Sequence, residues 1–166
     1  MKEKIMVSCG GVVIFRGKVL LLYYKTSKNT GWVLPKGKAE RQESRKEAAL
    51  REVKEETGAK AKVIKPLGET HYSFQRNGNT FHKTVYWYLM TSDSYYCRPQ
   101  AEENFVDGGY YKQHEAFYLL KYPDEKELLC RAFKEYNQLR HMKYVRTNSA
   151  GNEVFRAQYN ERGQEL

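Results

Sequence analysis

GKAERQESRKEAALREVKEETG, residues 37–58, is the stretch from which the fold can be worked out. Its apolar residues recur at helical spacing, which predicts a helix over residues 43–57. Gly58 stands where a helix-ending glycine belongs, because glycine enters the left-handed conformation without a steric penalty. The inward stripe of the helix is predicted to consist of Ala49, Leu50, Val53 and Thr57.

Three glutamates share one side of this predicted helix. Glu52, Glu55 and Glu56 are spaced i, i+3 and i+4, and like charges at that spacing destabilise a helix by a few tenths of a kcal/mol per pair. At ~100° per residue they span an arc beside the apolar stripe, at the rim of the core. Such a cluster is either a solvated face eased by ion pairs with Arg51, or a rigid set of carboxylates that binds a hard cation such as Mg²⁺.

The rest of the chain alternates strands and helices. VSCGGVVIF (7–15) and VLLLYYK (19–25) read as strands joined by a tight turn at residues 16–18, and Asn77-Gly78 predicts a second hairpin. Residues 27–40 read as a loop with a short extended piece around residues 32–34. A further short strand is predicted over residues 104–113, and helices over residues 113–120 and 124–142.

The spacing around the glutamates extends into a longer pattern. Gly37 is followed by five residues and Glu43, then by seven residues and REVKEETG (51–58). This resembles the Nudix box, G-x5-E-x7-R-E-U-x-E-E-x-G-U, in which U is a bulky aliphatic residue. All seven fixed letters match, and the one departure is the last U, which is Ala59. The resemblance covers residues 5 to about 140 and implies an α/β fold: an α/β/α sandwich around a mixed β-sheet.

The resemblance also implies an activity. Nudix enzymes use water to hydrolyse a nucleoside diphosphate linked to another moiety, and Mg²⁺ is the expected cofactor, with Mn²⁺ as an alternative. Carried over by position, Glu52 and Glu56 are metal ligands, and Glu55 is a ligand or orients one. The Gly37 carbonyl completes the metal site, and Arg51 holds a glutamate in place. Glu52 is the favoured general base.

A further metal-ligating acid is expected downstream of the box. AEENFVDGGYY (101–111) offers Glu102, Glu103 and Asp107 immediately before or within a predicted strand. Glu103 is our choice among the three.

The substrate is predicted from features outside the box. Lys36 in WVLPKGK (32–38), together with GETHYSF (68–74) and HKTVYWYLM (82–90), resembles bacterial diadenosine polyphosphate hydrolases. The resemblance implies cleavage of diadenosine tetraphosphate to ATP and AMP, with Lys36 and Lys83 on the phosphates. The candidate surfaces for stacking adenine are Tyr72, Tyr86, Trp87 and Tyr88, of which Tyr72 and Tyr88 are our choice.

Strand alternation limits that prediction. In residues 82–90, Tyr86 and Tyr88 face one side of the sheet, whereas Lys83 and Trp87 face the other, so at most one set lines the pocket. Two other substrates stay open: a nucleoside triphosphate of the 8-oxo-dGTP type, and the 5′ end of RNA. A non-catalytic nucleotide-binding module on the same fold is a third alternative, which the intact glutamate set disfavours.

Composition narrows the partners. The formal charge is +9, which favours anionic partners, here a small-molecule nucleotide; RNA is considered without a recognised binding motif to support it. Three scattered cysteines favour neither disulfides nor zinc, and the broken apolar run at the start predicts no signal peptide or membrane span. We expect a cytoplasmic protein with a Nudix domain over residues 1–142 and a basic tail over 143–166, either a hairpin or disordered.

Overall fold

The computed structural model describes residues 2–144, including side chains through residue 140, so the predicted tail lies outside the described residues except for the end of the last helix. The strands are β1 Glu3–Phe15, β2 Lys18–Lys25, β3 Thr30–Val33, β4 Lys36–Lys38, β5 Ala61–Arg76, β6 Asn79–Ser92 and β7 Phe105–Lys112. The helices are α1 Arg45–Thr57, α2 Gln113–Leu119 and α3 Pro123–Tyr144, with a 3₁₀ turn at Ala101–Glu103. Within residues 2–144 no helix has the length and apolarity needed to cross a membrane.

One mixed sheet organises the chain, in the order β3-β2-β1-β6-β5, with β4 paired to β1 and β7 paired to β2. β1 runs parallel to β6 from the pair Glu3–Thr80 to the pair Val13–Met90. It is antiparallel to β2 and β4. The predicted mixed sheet of an α/β protein is confirmed.

Both predicted hairpin turns are present. Arg16 and Gly17 have φ of 51° and 78°, and Asn77 and Gly78 have φ of 52° and 77°. Two consecutive residues with positive φ make the turn whose twist matches that of two antiparallel strands, which is why Asn-Gly is so strong a hairpin signal. These turns fix the β1–β2 and β5–β6 registers.

Helix α1 begins two residues later than predicted because Ser44 caps it. The Ser44 hydroxyl accepts from the Glu47 N–H, and the Glu47 carboxylate accepts from the Ser44 N–H, a reciprocal pair that satisfies two free donors. At the other end Gly58 has φ of 75° and donates its N–H to the Lys54 carbonyl, as the sequence predicted.

Two apolar cores lie on opposite faces of the sheet. Alternate residues of β1 point into each, Cys9 and Val13 toward α1 and Val12 and Ile14 toward α2 and α3. The core on the α1 side also contains Leu20, Ala48, Ala49, Val53 and Met90. The core on the α3 side also contains Leu34, Val85, Trp87, Leu128 and Leu129. This is the predicted sandwich.

Candidate active site

The three glutamates of α1 differ in exposure as their positions on the helix require. Val53 and Thr57 point into the core and are fully buried. Glu56 lies next to them and is 7% exposed, whereas the side chains of Glu52 and Glu55 are 13% and 49% exposed. The carboxylates therefore do lie at the rim of the core.

Glu56 is the most buried carboxylate of the cluster. Its Oε1 accepts a hydrogen bond of 3.1 Å from the backbone N–H of Lys36, at the start of β4. Burial raises the pKa of Glu56 to about 8, because the low-dielectric surroundings outweigh the favourable Lys36 charge and N–H. A buried carboxylate whose pKa is raised in this way has too little positive charge around it to stabilise its ionised form.

Glu52 lies against the loop strand β4. A Cβ built on Gly37 would overlap the Glu52 carboxylate, so only glycine leaves room for that group. Burial raises the pKa of Glu52, while the neighbouring Arg51 opposes the rise. The Gly37 position and the helix thus enclose one carboxylate between them.

Arg51 connects this helix to the preceding loop. Its guanidinium makes two hydrogen bonds to Glu43, Nε to Oε2 at 2.6 Å and Nη2 to Oε1 at 3.0 Å. The same group donates to Glu52 at 3.0 Å, to both Glu55 oxygens at 3.2 Å and to the Lys38 carbonyl at 3.0 Å. A planar guanidinium with five donors is the side chain suited to gathering so many acceptors. Arg51 is therefore placed where it orients two of the three glutamates.

The segment after β6 brings one more acid to the cluster. The Arg98 N–H donates to the Thr57 carbonyl at 2.7 Å, and the Gln100 N–H donates to the Glu56 carbonyl at 3.0 Å. These bonds use the free carbonyls at the end of α1 and hold the following 3₁₀ turn near the glutamates. Glu103 ends that turn, and its charge contributes to raising the pKa of Glu56.

Asp107, a weaker candidate for the downstream acid, is engaged elsewhere. Its carboxylate accepts from the Gly108 N–H at 2.7 Å, and its charge contributes to raising the pKa of Cys97 and Tyr111. Glu102 is exposed on the 3₁₀ turn.

The cluster suits a divalent cation by its chemistry. In residues 2–144 no three His, Cys, Asp or Glu side chains are already drawn together as a closed metal cage would require. Carboxylate and carbonyl oxygens are nevertheless the donors that Mg²⁺ takes, and such sites keep several waters in place of protein ligands. The buried Glu56 and the Gly37 cradle for Glu52 are the two observations that fit a bound cation.

A concave pocket of about 370 Å³ lies between the β5–β6 hairpin and the start of α3. Its wall is formed by Lys36, Thr70, Tyr72, Val85, Trp87, Tyr122, Pro123, Asp124 and Glu125. Lys36 belongs to both regions, since its backbone N–H donates to Glu56 and the residue lines the pocket. The pocket and the carboxylate cluster are therefore neighbours that share Lys36.

The structure brings together three of the four predicted substrate residues. Lys36 and Tyr72 line the pocket, and the Lys83 ammonium lies 5.7 Å from the centre of the Tyr72 ring. Tyr88 is on the opposite face of the sheet, packed against the core on the α1 side, and burial raises its pKa. Alternation along β6 separates Tyr88 from the pocket, which takes Trp87 instead.

Sequence reasoning missed the contribution of α3 to the pocket. Glu125 is 5% exposed, its Oε1 accepts from the Leu34 N–H at 2.9 Å, and burial raises its pKa. Pro123 followed by two acids is an ordinary beginning for a helix, where proline and negative charge are both favoured. The sequence therefore offers no reason to single out Glu125, because no local signal distinguishes a pocket acid from an acid at the beginning of a helix.

Comparison with known proteins agrees with this geometry. The family profile of the NUDIX domain matches residues 6–132. This chain belongs to the Nudix family. Nudix hydrolases generally use divalent metal ions, which accords with the oxygen-rich site of this member.

Two curated relatives match over about a third of this chain. A protein of Mycobacterium tuberculosis named "Putative mutator protein MutT4" is 48% identical over 59 residues, which are 36% of this chain and 24% of that protein. The Bacillus subtilis "Putative 8-oxo-dGTP diphosphatase YtkD" is 51% identical over 55 residues, 33% of each chain. The match to these curated relatives thus spans a third of their length or less.

A solved structure supports the fold. The binary complex of a C. elegans Ap4A hydrolase superposes with a TM-score of 0.60, covering 80% of this chain and 98% of that one. Identity is 17%, so the likeness concerns the fold of the Nudix domain.

Proposed function

We propose that this Nudix protein is a metal-dependent pyrophosphohydrolase that prefers dinucleoside polyphosphates and cleaves diadenosine tetraphosphate to ATP and AMP. The observation that carries the proposal is the double position of Lys36, which joins the carboxylate cluster to an aromatic-lined pocket. A nucleotide held in the pocket would have its phosphates directed past Lys36 toward the glutamates.

The glutamates of α1 are proposed to hold the metal, with Mg²⁺ preferred. Glu52 and Glu56 would be direct ligands together with the Gly37 carbonyl, while Glu55 and Glu103 would ligate or orient from the exposed side. A bound divalent ion screens phosphate charge and lowers the pKa of a coordinated water. Arg51 would keep the helix and loop sides of the site in register through its bonds to both.

Glu52 is the proposed general base. It is more exposed than Glu56, so a water can reach it, and Arg51 stabilises its ionised form. Glu56 already accepts the Lys36 N–H with one oxygen, which leaves it better suited to a fixed ligand position.

A long phosphate bridge is favoured by the spacing of the two lysines. Lys36 and Trp87 both lie against Gly10 and both line the pocket. Lys83 is four residues from Trp87 on β6, so about 13 Å separates Lys83 from this position along the strand. Cations at both ends of that path suit a chain of several phosphates. The rings of Tyr72, Trp87 and Tyr122 offer surfaces on which adenine can stack.

The first experiment is hydrolysis of diadenosine tetraphosphate with Mg²⁺, with products separated by chromatography. We expect ATP and AMP, at a rate well above that for ATP, dGTP or 8-oxo-dGTP. Lys83→Ala should raise KM for the dinucleotide, whereas Lys62→Ala, at the other end of the same hairpin, should leave it unchanged. Formation of two ADP, or faster cleavage of another nucleotide, would overturn the substrate assignment.

The second candidate substrate is an oxidised purine nucleoside triphosphate. Two observations favour it: the relative whose name refers to 8-oxo-dGTP, and the carboxylates of Asp124 and Glu125 at the pocket wall, which can hydrogen-bond a purine edge. A kcat/KM for 8-oxo-dGTP far above that for dGTP, lost in Asp124→Asn, would select this candidate. Absence of turnover for all these nucleotides and for 5′-triphosphate RNA would instead indicate a binding module.

A further inference from the structure

Beyond the pocket, the outer half of the β5–β6 hairpin and the beginning of β1 form a three-stranded ribbon. Facing residues stand in successive rows, Tyr72 opposite Lys83 and Phe74 opposite Phe81. Lys4 of β1 pairs with Phe81 on the other side. We call the surface that carries these side chains the outer ribbon face; its residues are Lys4, Tyr72, Phe74, Arg76, Phe81 and Lys83.

The two sides of this ribbon differ in chemistry. Because side chains alternate along a strand, the registers place three cations and three aromatic rings on the outer ribbon face. No carboxylate of β1, β5 or β6 lies on that face in the described rows between the pair Thr70–Val85 and Arg76. The acids Glu3 and Glu69 belong to the opposite face, where His71 and His82 also lie. The positive charges and the aromatic rings therefore lie on the same side of the ribbon.

The rings and cations of the outer ribbon face lie beside one another. Phe74 and Phe81 are stacked with centroids 5.0 Å apart, and Tyr72 lies 6.2 Å from Phe74. The Arg76 guanidinium lies 5.3 Å from the Phe74 ring, and Lys4 lies 6.0 Å from the Phe81 ring. Tyr72, Lys4 and Arg76 are exposed. Aromatic platforms interleaved with cations are the surface on which single-stranded nucleic acid binds, bases on rings and phosphates on cations.

The outer ribbon face is continuous with the pocket. Tyr72 lines the pocket and is also the first ring of the ribbon. From Tyr72 to Arg76 the strand extends four residues, about 13 Å, away from the pocket. A chain whose end occupied the pocket would therefore continue along this surface.

We propose that the outer ribbon face is a binding surface for single-stranded nucleic acid, beyond the proposed cleavage of small nucleotides. Charge complementarity selects a polyanion. The succession of rows favours a chain of nucleotides over the second nucleoside of a dinucleotide, because a single nucleoside needs only one stacking surface. The overall charge of +9 attracts a polyanion to the protein as a whole, but it does not by itself select this face as the binding surface.

The test measures fluorescence anisotropy of a 3′-fluorescein 12-nucleotide oligo(A) RNA in EDTA, so that binding is separated from hydrolysis. The variant K4E/R76E reverses two exposed cations of the outer ribbon face. Its control, K60E/K62E, makes the same charge change at exposed lysines at the other end of the hairpin. We expect K4E/R76E to weaken binding at least tenfold and to reduce the slope of log Kd against log salt by about 0.7 per lost phosphate contact. The control should change Kd by less than about threefold.

Phe74→Leu tests stacking, since leucine preserves apolar packing but offers no aromatic face. We expect it to weaken RNA binding by roughly fivefold or more. Turnover of diadenosine tetraphosphate should be unchanged in K4E/R76E, so failure of this inference and failure of the proposed substrate are distinguishable. Equal losses in K4E/R76E and K60E/K62E, tighter binding of duplex than of single strand, or no binding at 50 mM salt would each overturn the inference.

Discussion

Replacement of Glu56 by glutamine should make the metal-free protein more stable at neutral and alkaline pH. The buried Glu56 carboxyl has a pKa of about 8, against an ordinary value of 4.5. Glutamine has nearly the same shape and keeps an oxygen to accept the Lys36 N–H. The substitution therefore removes the cost of ionisation with little change in packing.

The size of the effect depends on pH. Below pH 4.5 the carboxyl is protonated in both the folded and the unfolded chain, so it contributes no pH dependence. Between 4.5 and about 8 the unfolded chain loses its proton first, and the free energy of unfolding of the wild type falls as pH rises. At ~1.4 kcal/mol per pH unit, the accumulated penalty above pH 8 is on the order of 3–5 kcal/mol.

The assay is denaturant unfolding of wild type and Glu56→Gln in EDTA at several pH values from 5 to 9. We expect the two proteins to differ least at pH 5 and the variant to gain progressively with rising pH. Some pH dependence should persist in the variant, because burial also raises the pKa of Glu52. In a second series, Mg²⁺ should stabilise the wild type at pH 8 and have a smaller effect on the variant, which lacks one anionic ligand.

Parallel curves for the two proteins across this pH range would refute the reasoning, since they would mean that Glu56 ionises as readily when folded as when unfolded. Equal stabilisation of both by Mg²⁺ would refute the assignment of Glu56 as a ligand while leaving the burial argument in place.

Gly37→Ala should lower kcat/KM by about 100-fold, because the added Cβ displaces the Glu52 carboxylate. Gly37 does not have a positive φ, so alanine can adopt its backbone conformation and the steric clash is the only effect tested. A wild-type rate would therefore contradict the steric argument. Arg51→Lys should cost 10- to 100-fold in activity or metal affinity, roughly, since an ammonium cannot reproduce the two-point contact with Glu43, and metal titration followed by calorimetry would separate the two effects. Ser44→Ala should reduce the free energy of unfolding by about 1 kcal/mol with an unchanged denaturant slope, and an unaltered midpoint would show that this helix cap contributes nothing.

Local chemistry explains how much of this protein was predictable. The helix around the glutamates, its ending at Gly58 and the two hairpin turns depend on residues within a few positions of one another, so their patterns are visible in the chain. The Nudix box adds a spacing constraint that makes the metal-site prediction specific. Lys36 and Tyr72 were selected by resemblance, and the structure places both at one pocket.

Three features depended on contacts between distant residues. Alternation along β6 separated Tyr88 from Lys83, but which face holds the pocket was settled by the packing of α3 and α1 on opposite sides of the sheet. Glu125 becomes a pocket residue because its carboxylate binds the Leu34 N–H, 91 positions earlier in the chain. Glu103 approaches the glutamates because the intervening segment bonds to the end of α1.

The chain alone therefore established the α/β class, the glutamate-bearing helix with its caps, and the hairpin turns, because spacing and turn chemistry act over a few residues. The tertiary structure decided which face of the sheet forms the pocket, which acids border it and how the outer ribbon face continues from it. Those outcomes depend on which apolar surfaces pack together across the sheet, and that choice is made by the whole fold rather than by any one segment.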